Sequence, residues 1–241
     1  IVDIGDISEE DTVLEIGPGT GNLTSEILKK NPKKIIVVEK DNNLSGLLKK
    51  KFGNKIDVIN DDILNCYEKF NTNSPIIVFG NLPYNISSQI LISFVKLKNL
   101  NKIFKKFIFV FQREVADRIV AKENTKNYGR LTILVSWKMK CEKILDIDPN
   151  YFYPKPKVWS SLITLIPKRE VRYLKKPEHL EHVTNIFFNK RRKMIKNPMK
   201  QLFKNYETIA KDINLELNLR PQNISKQKFF ELCEKYEKLL R

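Results

Sequence analysis

Short runs of β-branched and aromatic residues alternate with amphipathic helical patterns along the first half of the chain. The strand candidates are "TVLEI" (12 to 16), "KIIVVEK" (34 to 40), "IDVIN" (56 to 60), "PIIVFGN" (75 to 81) and "KFIFVFQ" (106 to 112). Between the early ones lie patterns such as "LTSEILKK", in which apolar residues recur every three or four positions. This alternation is typical of an α/β fold, with a mostly parallel sheet covered by helices on both faces.

The second half of the chain changes character. Two further runs, "LTILVSW" (131 to 137) and "SLITLIP" (161 to 167), are predicted to be strands that add an antiparallel edge to the sheet. From about Pro177 onward the patterns are only helical. The sequence therefore predicts an α/β domain at 1–169, followed by a small all-helical domain at 170–241.

Three glycines follow the first strand in the stretch "VLEIGPGTGNLTSEIL" (13 to 28). Gly17, Gly19 and Gly21 let the backbone pass close to a ligand at the sheet edge, although a simple tight turn has the same composition. Their order departs from the dinucleotide fingerprint G-x-G-x-x-G, and Glu15 would place a like charge beside a pyrophosphate. The loop therefore favours a cationic or zwitterionic ligand with an adenosine part over NAD.

Acidic residues follow the next two strands. Glu39 ends the second strand, where a carboxylate accepts hydrogen bonds from both ribose hydroxyls of a nucleoside. Asp62 follows the third strand and is placed to accept from an adenine amino group, while the backbone N–H of Ile63 serves the ring nitrogen. The glycine loop and these acids together fit S-adenosylmethionine, because its sulfonium and ammonium groups tolerate acidic walls.

The stretch "FGNLPYNISSQ" (79 to 89) ends the fourth strand and indicates chemistry on an aromatic amine. Such an amine is a weak nucleophile because its lone pair is delocalised into the ring. Asn81 offers a side-chain carbonyl, and Pro83 biases residue 82 to an extended conformation that fixes the Leu82 carbonyl. Two acceptors would draw the amine nitrogen toward tetrahedral geometry while Tyr84 stacks on the base. The alternative is a turn that merely ends the strand.

The chain is strongly basic, with 44 Lys and Arg against 28 Asp and Glu and a formal net charge of +16. This surplus favours a polyanionic partner, nucleic acid first and an anionic membrane surface second. The three cysteines are widely spaced and odd in number, and no Cys or Glu cluster joins the two histidines, so we expect a reducing compartment and no metal. No apolar run approaches a membrane span and the N-terminal residues lack a signal-peptide layout, so we expect a cytoplasmic protein.

Several stretches occur in an order known from one enzyme family. They are "VLEIGPGTGNLT", "VVEKD", "NDDIL", "NLPYNISSQIL", "FQREVADRIVAKENTKNYGRL", "FYPKPKVWSSLITL" and "FFNKRRKMIKNPM". In this order they resemble the small-subunit ribosomal RNA adenine dimethyltransferases of the bacterial KsgA type, over nearly the whole chain. The resemblance implies a Rossmann-like class I methyltransferase fold, S-adenosylmethionine as methyl donor, and dimethylation of two adjacent adenosines in the hairpin near the 3′ end of small-subunit rRNA.

The resemblance also assigns roles to individual residues. It implies donor contacts at Gly17, Glu39, Asp62 and Asn81, and it places the stretch from Asn81 to Tyr84 around the target amine. Phe152 resembles the aromatic that covers the other face of a flipped base, with a core aromatic before a proline turn as an equal alternative. Family members normally carry an upstream Gln-Asn-Phe-like motif over the methionine end of the donor. The present sequence starts downstream of it, so we expect two donor contacts to lie outside this sequence.

Basic side chains cluster in "NKRRKMIKNPMK" (189 to 200). We predict a helix here, with Phe187, Phe188, Met194 and Ile195 facing the helical core. The cations within its two turns are Lys190, Arg191, Arg192, Lys193 and Lys196. This cluster would hold RNA phosphates, although a solvated helix face is the ordinary alternative. The polar loop "AKENTKNYGR" (121 to 130) is expected beside the substrate cleft, and we predict that Arg113, Arg118 and Arg130 contribute there.

Two other functions stay open at this stage. Related enzymes dimethylate a large-subunit rRNA adenosine and confer macrolide resistance, but they usually read Asn-Ile-Pro-Tyr where this chain reads Asn-Leu-Pro-Tyr. A binding protein that acts in ribosome assembly or as an organellar transcription partner, with catalysis secondary or lost, is the other alternative. For the leading hypothesis we expect a monomer whose partner is the rRNA of an assembling small subunit.

Overall fold

The computed structural model of the chain describes residues 1–70 and 74–240. In this part the strands are β1 (Thr12–Ile16), β2 (Lys34–Val38), β3 (Asp57–Ile59), β4 (Ile76–Asn81), β5 (Phe104–Gln112), β6 (Met139–Ile147) and β7 (Ser160–Pro167). They form one seven-stranded sheet in the order β3-β2-β1-β4-β5-β7-β6. β1 to β5 pair in parallel, whereas β7 pairs antiparallel with both β5 and β6. The predicted α/β fold with a mostly parallel sheet is confirmed.

Helices connect these strands and make up the C-terminal part of the chain. In the first half they are α1 (Asn22–Leu28), α2 (Asn42–Phe52), α3 (Ile63–Cys66), α4 (Ser87–Lys96), α5 (Leu100–Ile103), α6 (Arg113–Ile119) and α7 (Arg130–Lys138). After the sheet they are α8 (Pro177–Phe188), α9 (Lys196–Leu202), α10 (Tyr206–Asp212) and α11 (Lys226–Leu239). None of the helices in the described residues is long and apolar enough to cross a membrane.

The chain divides into two compact units. The first consists of Ile1–Ala116 with Met139–Arg169 and contains the sheet. The second consists of Asp117–Lys138 with Glu170–Arg241 and is helical. The division predicted from sequence placed residues 117–138 with the N-terminal domain, whereas the structure groups them with the C-terminal helices, because α7 packs against α8 and α11.

β5 shows how the sheet of the first unit is covered on both faces. Side chains alternate between the two faces along a strand. On one face, Ile108 and Val110 belong to a cluster of buried and mainly aliphatic side chains from β1, β2, β4, β5, β7, α1 and α2, here called the aliphatic core cluster. On the other face lie the fully buried aromatic residues Phe107, Phe109 and Phe111. Phe94 of α4 packs edge to face on Phe107, with the ring centroids 5.1 Å apart. A sheet buried on both faces is what parallel strands with helical connections require.

One strand prediction is wrong. Residues 131–137 belong to helix α7, and the strand is the following segment, β6. The side chains of Ile133, Val135 and Trp137 are all buried, and burial extends around most of α7. A buried helix has no polar face, so its short apolar run resembles that of a buried strand. β6 lies at the edge of the sheet, and its largely exposed, mixed side chains give no apolar run.

Candidate active site

The carboxyl ends of four parallel strands carry the residues predicted from sequence to form the site. The register pairs Ile16 with both Val38 and Gly80, and it pairs Val38 with Ile59. The residues that follow these positions therefore emerge at one edge of the sheet. They are the glycine loop after β1, Glu39 after β2, Asp62 after β3 and Asn81 at the end of β4. α/β proteins place ligand sites at this edge.

The glycine loop leaves open space beside its backbone. Gly17 and Gly19 have φ angles of 65° and 58°, in the left-handed region that favours glycine. A Cβ built on either would meet no other atom within 4 Å, so a ligand can approach the backbone there. Gly21 differs, because its Cβ would lie 2.5 Å from the ring of Phe52. Gly21 therefore allows the loop to pack tightly against α2.

Glu39 ties the glycine loop to the end of β2. Its carboxylate accepts hydrogen bonds from the backbone N–H of Gly19 (3.1 Å) and of Asp41 (2.9 Å). The side chain is buried, with 7 % of its surface exposed. Glu39 is consequently a fixed acceptor beside the open backbone of the loop.

Asp62 caps the N-terminus of α3. It accepts from the backbone N–H of Leu64 (3.0 Å) and from the Nζ of Lys40 (3.0 Å). The hydrogen bond from Leu64 is the main cause that lowers the pKa of Asp62, and the Lys40 ammonium adds to it. Ile63 is the first residue of α3, where backbone N–H groups have no acceptor within the helix. An ionised acceptor and a first-turn N–H thus stand side by side.

Glu15 lies beneath the loop, on β1, with only 2 % of its surface exposed. Its carboxylate accepts a hydrogen bond of 2.6 Å from the hydroxyl of Thr24 on α1. Burial raises the pKa of Glu15 to about 7, the Thr24 hydrogen bond opposes this change, and the negative charge of Glu39 adds to it. Glu15 therefore links β1 to α1, and its protonation changes near neutral pH.

The predicted amine clamp and Phe152 line one cavity of about 260 Å³. Its wall consists of Asn81, Leu82, Pro83, Tyr84, Phe152, Tyr153, Pro154 and Pro156. This volume lies below the roughly 300–1,000 Å³ of sites for drug-sized ligands and suits a single base. Among the described residues of this wall, none is a carboxylate or an imidazole.

Buried groups hold the clamp from behind. The Leu82 side chain is 1 % exposed, and it lies so close to Gly80 that a Cβ there would come within 2.8 Å of Leu82 Cδ2. The Tyr84 hydroxyl lies 2.6 Å from the Oγ of Ser160, which is fully buried on β7. The Leu82 backbone and the Tyr84 ring are therefore positioned by the fold itself.

Phe152 belongs to both the core and the cavity. Its half-buried ring packs against the aliphatic core cluster and also lines the cavity wall. A 3₁₀ turn, Pro149–Tyr151, precedes it and is capped by Asp148, which accepts from the N–H of Asn150 (2.8 Å). Phe152 can therefore be both a core aromatic and a wall of the base site, because one part of its ring packs in the core and another part faces the cavity.

Parts of this site were not predicted from the sequence. Tyr153, Pro154 and Pro156 of the wall were not singled out, although the mixture of aromatic, proline and lysine residues in "FYPKPKVW" is unlike a core segment. Ser160 was also missed, because its contact with Tyr84 joins positions 76 residues apart. No local pattern carries such information.

Arg113 stands at the carboxyl end of β5, in the first unit. Its backbone N–H donates to the Trp159 carbonyl (2.9 Å), and its guanidinium carbon lies 5.8 Å from the centroid of the Trp159 ring. The indole is 42 % exposed, so the pair forms a cation–π contact at the surface. The role of Arg113 in RNA binding stays a prediction.

The basic segment of the second unit is a turn, which corrects the predicted helix. α8 ends at Phe188 and α9 begins at Lys196. Pro198 gives the reason, because in a continuous helix its ring would clash with the carbonyl of Met194 and a hydrogen bond would be lost. Met194 is accordingly 60 % exposed and lies outside the core, whereas Ile195 is fully buried as predicted.

Within this turn the cations fall into two groups. The turn lines a cavity of about 650 Å³ whose wall consists of Phe188, Asn189, Lys190, Arg191, Arg192, Lys193 and Asn197. Arg191 donates to the Thr125 carbonyl (3.0 Å) and to the Oε1 of Gln222 (3.3 Å). The exposed cations are Lys190, Arg192, Lys193 and Lys196. Arg191 therefore supports the turn, and the other four present charge to solvent.

The polar loop at 121–130 also lies in the second unit, and Arg118 and Arg130 are exposed near its two ends. Tyr128 anchors the loop, since its buried hydroxyl donates to the Ile224 carbonyl (2.8 Å). The N–H of Asn124 donates to the Gln222 carbonyl (3.0 Å). These contacts hold the loop against the C-terminal segment, and its expected place beside a substrate cleft stays a prediction.

Known proteins resemble this chain over nearly its whole length. The family model for ribosomal RNA adenine dimethylase matches residues 1–238. "Ribosomal RNA small subunit methyltransferase A" of Pelagibacter ubique (strain HTCC1062) is 51% identical, over 99% of this chain and 91% of that protein. The crystal structure of a dimethyladenosine transferase from Plasmodium falciparum has a TM-score of 0.79 and 27% identity, covering 98% of this chain and 94% of the other.

A second solved structure shares the fold alone. The 23S rRNA methyltransferase ErmE has a TM-score of 0.70 at 22% identity, covering 98% of this chain and 95% of the other. With the dimethyladenosine transferase, it identifies the seven-stranded sheet and its helices as a Rossmann-like methyltransferase fold. No group of His, Cys, Asp and Glu in the described residues is suited to hold a metal ion. With the family model matching 1–238, the chain belongs to the ribosomal RNA adenine dimethylase family.

Proposed function

We propose that the chain transfers methyl groups from S-adenosylmethionine to the exocyclic amines of two adjacent adenosines in the 3′-terminal hairpin of small-subunit rRNA. The observation that carries this proposal is the cavity in which Asn81, Leu82, Tyr84 and Phe152 meet. The relative with 51% identity is a small-subunit methyltransferase and supports the choice of RNA. The large-subunit alternative has support from the fold alone.

The edge of the sheet fits the donor. Open space beside Gly17 and Gly19 admits a ligand against the backbone, and Glu39 offers a fixed carboxylate to ribose hydroxyls. Asp62 and the N–H of Ile63 suit the amino group and ring nitrogen of an adenine. Asn81 is assigned a further direct contact with the donor. Glu15 and Gly21 are assigned an indirect role, because they position the glycine loop. When bound, S-adenosylmethionine supplies an electrophilic methyl group.

The clamp prepares the target amine for attack. The Asn81 side-chain carbonyl and the Leu82 backbone carbonyl accept the two N–H bonds of the amine, which localises its lone pair on nitrogen. Tyr84 and Phe152 hold the two faces of the base. The fold holds the Leu82 carbonyl before the reaction, and together with the Asn81 oxygen it stabilises the positive charge that develops on nitrogen.

The proton released from nitrogen needs an acceptor after the new N–C bond has formed. No described residue of the cavity wall is a carboxylate or an imidazole. Asn81 and the Leu82 carbonyl do not take up a proton near neutral pH, so the proton passes to solvent. The chain thus accelerates the reaction mainly by positioning the amine and by electrostatic stabilisation.

Basic residues of both units are assigned to RNA binding. The exposed cations Lys190, Arg192, Lys193 and Lys196 are suited to phosphates, and Arg191 holds the turn that carries them. Arg113, Arg118 and Arg130 complete the assignment. A formal net charge of +16 supports a polyanionic substrate, and extrusion of the adenosine from its stack brings the amine into the cavity.

We further propose the setting in which the chain works. Methyl transfer belongs to the sheet-containing unit, 1–116 with 139–169, and most of the RNA contacts belong to the helical unit, 117–138 with 170–241. The protein acts as a monomer in the cytoplasm, on the rRNA of an assembling small subunit. The similarity to a small-subunit rRNA methyltransferase supports rRNA as the partner in this setting.

A methylation assay tests this proposal. The purified protein receives labelled donor with either unmethylated small subunits or naked large-subunit rRNA, and the labelled nucleosides are mapped. We expect dimethyladenosine at two adjacent positions of the 3′-terminal hairpin. Label confined to large-subunit RNA would favour the macrolide-resistance alternative, and absence of label from both would contradict catalysis. Restored subunit maturation by an inactive Asn81→Ala variant would support an additional role in assembly.

A further inference from the structure

A short loop at 151–159, here called the rim loop, borders the cavity in the first unit. Tyr153 of this loop is fully exposed, with a relative accessibility of 102%, and it nevertheless lines the cavity wall. Tyrosine presents a large flat surface that usually packs on a partner. An exposed ring at the mouth of a base-sized cavity is typical of the stacking platforms of proteins that bind single-stranded nucleic acid.

The fold holds Tyr153 in this exposed position. The preceding residue, Phe152, packs against the aliphatic core cluster. Pro154 and Pro156 follow, and their fixed φ angles restrict the backbone of the rim loop. A restricted backbone limits the conformational freedom that is lost when the ring stacks on a ligand. The backbone of Tyr153 is therefore in place for contact with a flat group, and its ring is open to one.

The charge of the rim loop identifies the kind of group. Lys155 and Lys157 are both exposed on the loop, which contains no acidic residue. Cations beside an exposed aromatic ring suit a base attached to a phosphate backbone. The cavity itself is occupied by the target base in the proposed function, so the base that Tyr153 meets is a neighbouring one.

We propose that Tyr153 stacks on the nucleotide next to the adenosine held in the cavity. This inference rests on the proposed function. Flipping a base out of its stack removes the stacking partner of its neighbour, and the Tyr153 ring replaces that partner. Because the two target adenosines are adjacent, one of the pair occupies this subsite while the other lies between Tyr84 and Phe152.

Kinetics on unmethylated small subunits test the subsite. Tyr153→Ala should lower kcat/KM for the subunits by roughly 10-fold, mainly through KM, because base–aromatic stacking contributes at about this level. Tyr153→Phe and Tyr153→Trp keep a stacking ring and should retain most of the wild-type value. Donor affinity and melting temperature should stay unchanged in all three variants. Tyr151→Ala is the matched control, since Tyr151 is 84% exposed and is not part of the cavity wall.

The outcomes separate the subsite from the proposed function. An active wild type with an unaffected Tyr153→Ala variant would overturn the subsite alone. The same holds if Tyr153→Phe loses as much as Tyr153→Ala, or if Tyr151→Ala shows an equal loss. A wild type that leaves small subunits unmethylated would overturn both the proposed function and the subsite.

Discussion

Glu15 should make the chain less stable as the pH rises through neutrality. Its pKa is about 7 in the folded chain, compared with 4.5 for an ordinary glutamate. Below about pH 4.5 the Glu15 carboxyl is protonated in both the folded and the unfolded chain, so its titration does not lower the free energy of unfolding. Between the two pKa values the unfolded chain releases the proton while the folded chain retains it, so the free energy of unfolding falls. The separation of the two pKa values corresponds to about 3 kcal/mol, lost in full above about pH 7.

Glu15→Gln removes this titration while its amide oxygen can still accept from Thr24. We therefore expect the difference in free energy of unfolding between variant and wild type to grow by about 2–3 kcal/mol from about pH 5 to pH 8, in favour of the variant. Urea unfolding of both proteins at several pH values measures this difference. Glu26→Gln is the control, because Glu26 is an exposed residue of the helix that carries Thr24. A difference between Glu15→Gln and wild type that is independent of pH would refute the reasoning.

Three further predictions concern packing, a buried hydrogen bond and charge. Gly80→Ala places a Cβ 2.8 Å from Leu82 Cδ2. We expect slower methyl transfer and a free energy of unfolding lower by about 1–3 kcal/mol, measured by thermal or urea unfolding. Unchanged turnover would contradict the role of Leu82. Tyr128→Phe leaves the buried Ile224 carbonyl without its donor and should lower the free energy of unfolding in urea by about 1–3 kcal/mol. A decrease below about 0.5 kcal/mol would show that water replaces the hydroxyl. Replacing Lys190, Arg192 and Lys193 by Gln should reduce the slope of log affinity for small-subunit RNA against log salt by about 2–3, and an unchanged slope would place the RNA phosphates elsewhere.

The site could be predicted from sequence where a local rule connects residue type and position. A polar residue that follows a strand must emerge at the sheet edge, so the sequence alone places Glu39, Asp62 and Asn81 there. The parallel register then aligns their strands at that edge. The mostly parallel sheet was predictable for the same reason, since each strand candidate is a short apolar run between helical patterns.

Features that depend on distant contacts were not predictable. The burial of α7 depends on α8 and α11, so its apolar run resembles a strand. The wall formed by Tyr153 and the support of Tyr84 by Ser160 join segments far apart in sequence. The turn at 189–195 is a different case, because Pro198 is visible in the sequence and its effect on the carbonyl four residues upstream already predicts a break in the helix.

The amine clamp is tested most directly by comparing the rate of methyl transfer with the affinity for the donor in Asn81→Ala. Single-turnover methylation of small subunits gives the transfer rate, and calorimetry with the donor gives its affinity. Loss of one of the two acceptors should lower the rate by about 100-fold or more, with only a partial loss of donor affinity. Asn85→Ala is the matched control, since Asn85 is exposed in the same segment and is not part of the cavity wall. Wild-type transfer by Asn81→Ala would contradict the amine clamp.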